Sequence, residues 1–175
     1  SRDVYGNTLG HAGSWWPTFP TPVLTEVLVL NGKKIVVTGC ASGIGKEVAR
    51  LIKEAGGYVL GVDLSVTDDY VDELYRADLS DPDSIRDLIH VLPRGIDGLA
   101  NVAGLPPTKP AAKVLAVNYV GLKALTVGLV PKMADGASVV NVASLAGIGW
   151  PNMVSSILES ESLAFEDIEQ FVKTH

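Results

Sequence analysis

The sequence lacks a second cysteine: Cys40 stands alone among 175 residues. An internal disulfide is excluded, and because no Cys or His is spaced around it as a ligand set, no metal site is expected. A reducing compartment is the default, and the cytoplasm is the expected location. Charge is scarce, at 19% of residues against 47% hydrophobic, which sets the chain apart from a disordered polar segment. Fourteen basic residues face twenty acidic ones for a net charge of −6. The basic residues do not cluster, so nucleic acid is not an expected partner. No apolar run approaches the ~20 residues of a membrane span, and no membrane partner is expected. The first residues lack a charged head followed by an apolar core, so no secretory leader is expected. No internal repeat is present. What remains is a chain long enough for one domain with a substantial core, and apolar enough for a parallel sheet.

Three stretches differ in character. Residues 1–26, with SWWPTFPTP near their end, show neither helical nor strand period and read as an irregular arm. Trp15 and Trp16 are its candidate anchors, on a neighbour or on the same chain; a plain, poorly ordered tail is the alternative. Residues 27–150 alternate strand and helix. Asn31-Gly32 is a strong turn signal, so EVLVLNGKKIVV is either a hairpin or a lead-in to one buried strand, Lys34 to Thr38. The second is preferred. Residues 46–55 place Val48, Leu51, Ile52 and Ala55 on one helical face, and Gly56-Gly57 stops that helix. Strands are expected at Tyr58 to Asp63, Tyr75 to Asp78, Ile96 to Val102 and Ser138 to Ala143. A helix capped by Ser80 or Asp81, with Pro82 in its first turn, buries Ile85, Leu88, Ile89 and Leu92. A long helix covers about 109–130. This alternation predicts an α/β fold with a doubly wound parallel sheet. Residues 151–175 form an acidic helix or helix pair covering the domain, with Ile157, Leu158, Phe165, Ile168 and Phe171 among five acids.

TGCASGIG, residues 38–45, joins the first strand to the first helix. Gly39 leaves the strand at a tight turn, Gly43 lets backbone approach a phosphate, and Gly45 lets the helix pack against the strand. The helix N-terminus then offers free N–H groups and a positive dipole end to a pyrophosphate. Such turns also occur without a ligand. Asp63 raises the weight of the signal: it ends the second strand, eighteen residues beyond Gly45, where a carboxylate accepts hydrogen bonds from the adenosine ribose hydroxyls. Its alternative is a strand-end turn residue. A 2′-phosphate there meets like charge, and neither Ser42 nor Leu64 is a compensating Arg or Lys. NAD is therefore expected over NADP.

TGCASGIG resembles the cofactor loop of the short-chain dehydrogenase/reductase family, and four further pieces match in that family's order. Asp78-Leu79 resembles the pair lining the adenine pocket. Asn101-Val-Ala-Gly104 resembles the segment that ends the fourth strand beside the cofactor. Asn118, within VNYVG, resembles the asparagine of the proton-relay helix. Ser144, ending VVNVAS, resembles the serine that orients the reacting oxygen. The resemblance covers about residues 30–150 and implies a Rossmann-type domain binding NAD. It implies hydride transfer between nicotinamide C4 and a small-molecule secondary alcohol or ketone. Gly39, Ser42, Gly43, Ile44 and Gly45 would hold the pyrophosphate, Asp63 the ribose, and Asp78 and Leu79 the adenine. Asn101, Ala103 and Gly104 would line the nicotinamide side, Ser144 would bond the reacting oxygen, and Asn118 would hold a relay water. A homo-oligomer is implied for the full-length form. The wording is most similar to the bacterial 3α-hydroxysteroid dehydrogenase/carbonyl reductase branch, in the short connection after the acidic strand, in ADLS, in VNY-G and in the helical stretch after the serine. A hydroxysteroid substrate is implied by that branch alone.

The family's Tyr-x-x-x-Lys after the serine is not found. The expected tyrosine position holds Ile157, and four residues on stands Glu161. Tyr119 and Lys123 match the spacing, but they precede Ser144; Tyr119 reads as a packing residue and Lys123 as solvated. One account is a chain that stops before the motif, with the last strands absent, and it is the favoured one because every upstream site residue is present. The other is a divergent dinucleotide-binding module or sensor without turnover. An empty Rossmann-like domain is the third and plainest reading.

Overall fold

The computed structural model describes residues 30–175. The irregular arm with Trp15 and Trp16, and the first half of the possible hairpin, lie outside the described residues. The elements run β1 (Lys34–Thr38), α1 (Gly43–Glu54), β2 (Tyr58–Asp63), β3 (Glu73–Arg76), α2 (Pro82–Val91) and β4 (Ile96–Asn101), then a long helix, then β5 (Met133–Asn141). The five strands form one sheet in the order β3-β2-β1-β4-β5, and every pairing is parallel. The expected doubly wound, Rossmann-type architecture is present.

Runs of consecutive apolar residues serve both faces of the sheet. Val36 and Val37 are each 0% exposed yet belong to different cores, as alternate side chains on a strand must. On one face Val37 and Val59 meet Ala49 and Ile52 of α1. On the other, Val36, Leu60, Val62 and Leu99 meet Ile85 and Leu88 of α2 and Leu125 and Leu129 of the long helix. Both edges of β1 are taken, by β2 and β4, so it has no side free for a hairpin partner. Asn31-Gly32 instead forms a turn into β1, closed by the Lys33 amide donating to the Leu30 carbonyl.

Several expectations shift. The buried face of α1 runs through Gly45, Ala49 and Ile52, and Leu51 is 52% exposed. Gly45 lets the start of the helix meet the turn after β1, while Ile52, with Val48 beside it, fills the contact with the sheet further on. β3 ends at Arg76, two residues earlier than expected. Beyond it the Asp78 amide donates to Ser84 Oγ, and the Asp78 carboxylate accepts from the Ser80 amide and hydroxyl. These local bonds replace the ladder. β5 begins at Met133 rather than Ser138, and its register jumps from Ile96↔Met133 to Gly98↔Ser138. The periodic pattern is broken there. Val139 and Val140 of the strand, and Val142 just beyond it, are exposed.

The long helix spans Ala111–Lys132. It contains α3 (Ala111–Leu115), a π-helical stretch at Ala116–Gly121, α4 (Leu122–Leu129) and a final 3₁₀ turn. Among the described residues it is the one helix long and apolar enough to cross a membrane. Its apolar residues have another use: Val117, Leu125 and Leu129 sit in the sheet core, and Ala116 and Val120 pack against Ile168. The last segment forms α5 (Val154–Ser160) and α6 (Ile168–Thr174), acidic and helical as expected. Ile168 is buried and Phe165 half-buried, but Ile157 and Leu158 stay exposed.

Candidate functional site

In a parallel sheet all strand C-termini share one edge, and a crevice opens where the strand order reverses. That reversal lies between β1 and β4. A cleft of about 540 Å³ opens there, bounded by the segments that follow the first four strands. Gly39, Ser42, Gly43, Ile44 and Gly45 form one wall, with Asp63 and Leu64 beside them. Asp78 and Leu79 close one end, and Ala103, Gly104 and Leu105 form the opposite wall. Ten of the thirteen residues expected at the site therefore converge on a single cavity.

The glycines differ in what they permit. A Cβ on Gly39 would lie 2.9 Å from Ala103 Cα, so this glycine lets the walls after β1 and β4 meet. A Cβ on Gly45 would lie 2.0 Å from the Gly39 carbonyl oxygen, inside the turn itself. Gly43 is left-handed, with φ +53°, and nothing lies within 4 Å of where its Cβ would be. Its missing side chain leaves open space beside the start of α1. The Ser42 hydroxyl makes no capping bond there, and the first helical bond runs from the Lys46 amide to the Ser42 carbonyl. The amides of residues 43–45 precede that bond and have no partner within the helix. The helix dipole adds partial positive charge at the same point.

Around this cradle, polar side chains fasten backbone. Asp63 Oδ2 accepts from the Ala41 amide at 3.0 Å and Oδ1 from the Ser65 amide at 2.8 Å. Thr38, 1% exposed, accepts on Oγ1 from the amides of Val102 (2.9 Å) and Ala103 (3.0 Å). Asn118 accepts from the Leu105 amide and donates to the Leu105 carbonyl, at 2.7 and 3.0 Å. It stands on the π-helical stretch, opposite Gly104. Hydrogen bonds from the Ser80 hydroxyl and amide, with the nearby Lys113 charge, hold the Asp78 carboxyl below the usual range. Cys40 is buried behind the loop; burial, and then the Asp63 charge, push its thiol up to about 11. Burial and the raised pKa both disfavour its thiolate at neutral pH.

Three expected site residues lie off the cleft lining. Asn101 is 2% exposed, and its amide donates to Thr126 Oγ1 and Asn141 Oδ1. It joins β4, β5 and α4 behind the wall rather than forming it. Asn118 acts on the wall from behind, through Leu105. Ser144 is exposed just past β5, at the same sheet edge, where its carbonyl accepts from the Gly147 amide. Lys109 and Lys113 line the cleft and were not anticipated. Thr38 was also missed, although a lone polar residue closing the apolar run IVV signals a buried group that needs partners. Tyr119 packs in the cluster around Ile168, as expected. Lys123 is not free in solvent: it donates to the Glu161 carbonyl and lies 5.9 Å over the Tyr119 ring. Ile157 and Glu161 are exposed on and after α5. Among the described residues the cleft lining holds no tyrosine.

The sequence matches the family model described as short chain dehydrogenase over residues 33–155. A coniferyl-alcohol dehydrogenase of Pseudomonas sp. (strain HR199 / DSM 7063) is 47% identical over 122 residues, which cover 70% of this chain and 48% of that protein. A 3-alpha-hydroxysteroid dehydrogenase/carbonyl reductase of Comamonas testosteroni is 35% identical over 107 residues, covering 58% of this chain and 39% of that one. The chain thus spans less than half the length of either relative. Among solved structures, the Pseudomonas aeruginosa RhlG/NADP active-site complex aligns with a TM-score of 0.63 at 30% identity, over 70% of this chain and 57% of that one. The glycine cradle, the parallel sheet around it and these likenesses agree, and the chain belongs to the short chain dehydrogenase family.

Proposed function

We propose that the chain is the cofactor-binding part of an NAD-dependent oxidoreductase that interconverts an alcohol and a carbonyl compound. The observation that carries this reading is Gly43, a left-handed glycine with open space before it, set at the unpaired N-terminus of α1 beside Asp63. A side chain there would fill the place a pyrophosphate needs. Gly39, Ser42, Gly43, Ile44 and Gly45 hold the phosphates through backbone N–H groups. Asp63, with two oxygens each accepting one amide, retains lone pairs for the ribose hydroxyls. Asp78 and Leu79 border the adenine, and Ala103 and Gly104 the nicotinamide side; Asn101 steadies that wall from behind. Bound there, the nicotinamide supplies or takes a hydride at its C4. Ser144 donates a hydrogen bond to the reacting oxygen, and Asn118 holds the wall and a relay water. The Asp63 charge favours NAD over NADP; neither Ser42 nor Leu64 is a cation, and Arg76, whose Nε donates to the Leu64 carbonyl at 3.2 Å, is the counter-charge that this preference has to outweigh. The RhlG complex holds NADP, so this preference belongs to the present chain's own residues.

Coniferyl alcohol carries its alcohol on a side chain of an aromatic ring and a 3α-hydroxysteroid carries it on the ring itself, so an alcohol borne by a largely apolar, ring-containing molecule is the proposed substrate class. A homo-oligomer is proposed for the full-length form. Calorimetric titration of the chain with NAD tests the core of the reading: saturable binding that Asp63→Ala weakens is expected. Absence of heat at millimolar NAD would leave an empty Rossmann-type domain. The second reading, a binding module without turnover, rests on Ile157 and Glu161 at the tyrosine and lysine positions. The coding sequence beyond His175 separates the two. A Tyr-x-x-x-Lys within about a dozen codons supports the enzyme, and its absence supports the module.

A further inference from the structure

Side chains two residues apart on a strand leave the same face of the sheet. Val59 of β2 and Leu74 of β3 both pack in the cluster with α1, so Asp63 and Arg76, an even number of residues further on, leave the sheet on that face too. The two are register partners at the C-terminal ends of parallel strands. Asp63 takes the Ala41 and Ser65 amides beside the cleft. Arg76 is exposed on the edge strand, and its Nε donates to the Leu64 carbonyl at 3.2 Å. Leu64 lines the cleft next to Asp63, so this contact tethers the guanidinium at the ribose end. Its remaining N–H groups are uncommitted to any acid: among the described residues Arg76 has no ion pair. The cations of α1 are all engaged, Lys46 by Asp69, Lys53 by Asp72, and Arg50 by Glu47 and Glu54. Lys109 and Lys113 line the cleft from the segment after β4 and the start of the long helix, where the Lys113 charge acts on Asp78. At the Asp63 end, Arg76 is the cation with donors to spare.

We propose that Arg76 is a specificity-determining residue: its guanidinium receives the 2′-phosphate of NADP, so the cleft takes both dinucleotides and the preference that Asp63 sets for NAD is a modest one. This rests on the reading of the cleft as a dinucleotide site. A guanidinium presents paired N–H groups in a planar fork that matches a phosphate. The Leu64 contact already fixes part of the side chain, so less freedom is lost when an anion binds. Three proteins test it: the unaltered chain, Arg76→Met and Arg76→Lys, each titrated calorimetrically with NAD and with NADP at low salt. The unaltered chain is expected to bind both, NAD the more tightly. Arg76→Met is expected to weaken NADP about five- to tenfold, the scale of one charge-assisted contact at a partly exposed site, and NAD by less than about twofold. Arg76→Lys keeps the charge and should weaken NADP by less than about threefold. Added salt narrows the difference between arginine and methionine, because the contact is a surface one. An NADP-to-NAD ratio that Arg76→Met leaves unchanged overturns the proposal. So does an equal weakening of both cofactors, which would mark Arg76 as a fastener of the Leu64 backbone only. A lysine variant as weak for NADP as the methionine one also overturns it, since the charge would then count for nothing. An unaltered chain that binds NAD but not millimolar NADP overturns it as well. If none of the three proteins binds either dinucleotide, the cofactor reading itself fails, and that result is distinct from the others.

Discussion

Thr38 gives the sharpest test of how the cleft is held. Thr38→Val keeps the shape of a residue that is 1% exposed and removes the acceptor for two backbone amides, those of Val102 and Ala103. An unmade bond of this kind costs about 1–3 kcal/mol. Both residues are half-buried, so water recovers part of each bond, and about 2–4 kcal/mol for the pair is the reasonable range. The hydroxyl's own donation to the Ala100 carbonyl is long, at 3.5 Å, and adds little. Thr38→Ser keeps the oxygen and loses one methyl group, worth about 0.8 kcal/mol. With an m-value of about 2 kcal/mol/M, urea midpoints should fall by roughly 1–2 M for valine and by less than about half that for serine. The wall at Ala103 and Gly104 hangs from these bonds, so NAD affinity should fall in the valine variant and persist in the serine one. Equal midpoints for valine and serine would show that the hydroxyl does not anchor this loop.

The glycines should separate fold from binding. Gly45→Ala forces a methyl against the Gly39 carbonyl oxygen and is expected to lower stability by about 1–3 kcal/mol in urea. Gly43→Ala meets no atom, costs about 1–2 kcal/mol for its left-handed backbone, and should reduce NAD affinity by more than that in titration. Asp78 has a lowered pKa, chiefly through the Ser80 hydroxyl, so its contribution to stability is complete above the ordinary value of 3.8 and is lost as pH falls through the lowered one. The urea midpoint of Asp78→Asn should accordingly fall less steeply than that of the unaltered chain between pH 5 and pH 2. The Cys40 thiol, raised to about 11 by burial and then by Asp63, adds stability that is complete below 9.0 and declines as pH climbs toward 11. Iodoacetamide at pH 8 should label it slowly in the native chain and rapidly in urea; equal rates would place the thiol in solvent.

The parts of the site legible in the sequence are those fixed by local backbone needs. TGCASGIG specified a tight turn, a close approach and a helix start, and each glycine meets a separate geometric demand. Asp63 was legible because a strand end is a local event. Leu51 was misplaced because helical periodicity shows that a face exists, but not how near the helix lies to its sheet. β3 was placed late because Ser84 Oγ takes the Asp78 amide that would have extended the ladder. The start of β5 was missed where the register jumps and no alternation survives. Lys109, Lys113 and the true position of Asn101 depend on where the long helix crosses the sheet edge, which spacing along the chain does not encode.

Most polar residues singled out at this cleft are bonded to its own backbone. Asp63 holds Ala41 and Ser65, Thr38 holds Val102 and Ala103, and Asn118 holds Leu105. A turn carrying three glycines loses more conformational freedom on ordering than a glycine-free turn of its length, so it needs such fasteners to keep a defined shape without a ligand. With the walls already set, a bound dinucleotide does not have to order them, and less of its interaction free energy is lost on binding. The same economy of residues explains the order of the family's pieces along the chain. A strand end, an acid, an asparagine on a π-helical stretch and a serine lie far apart in sequence. Each is delivered to one edge because every strand points the same way.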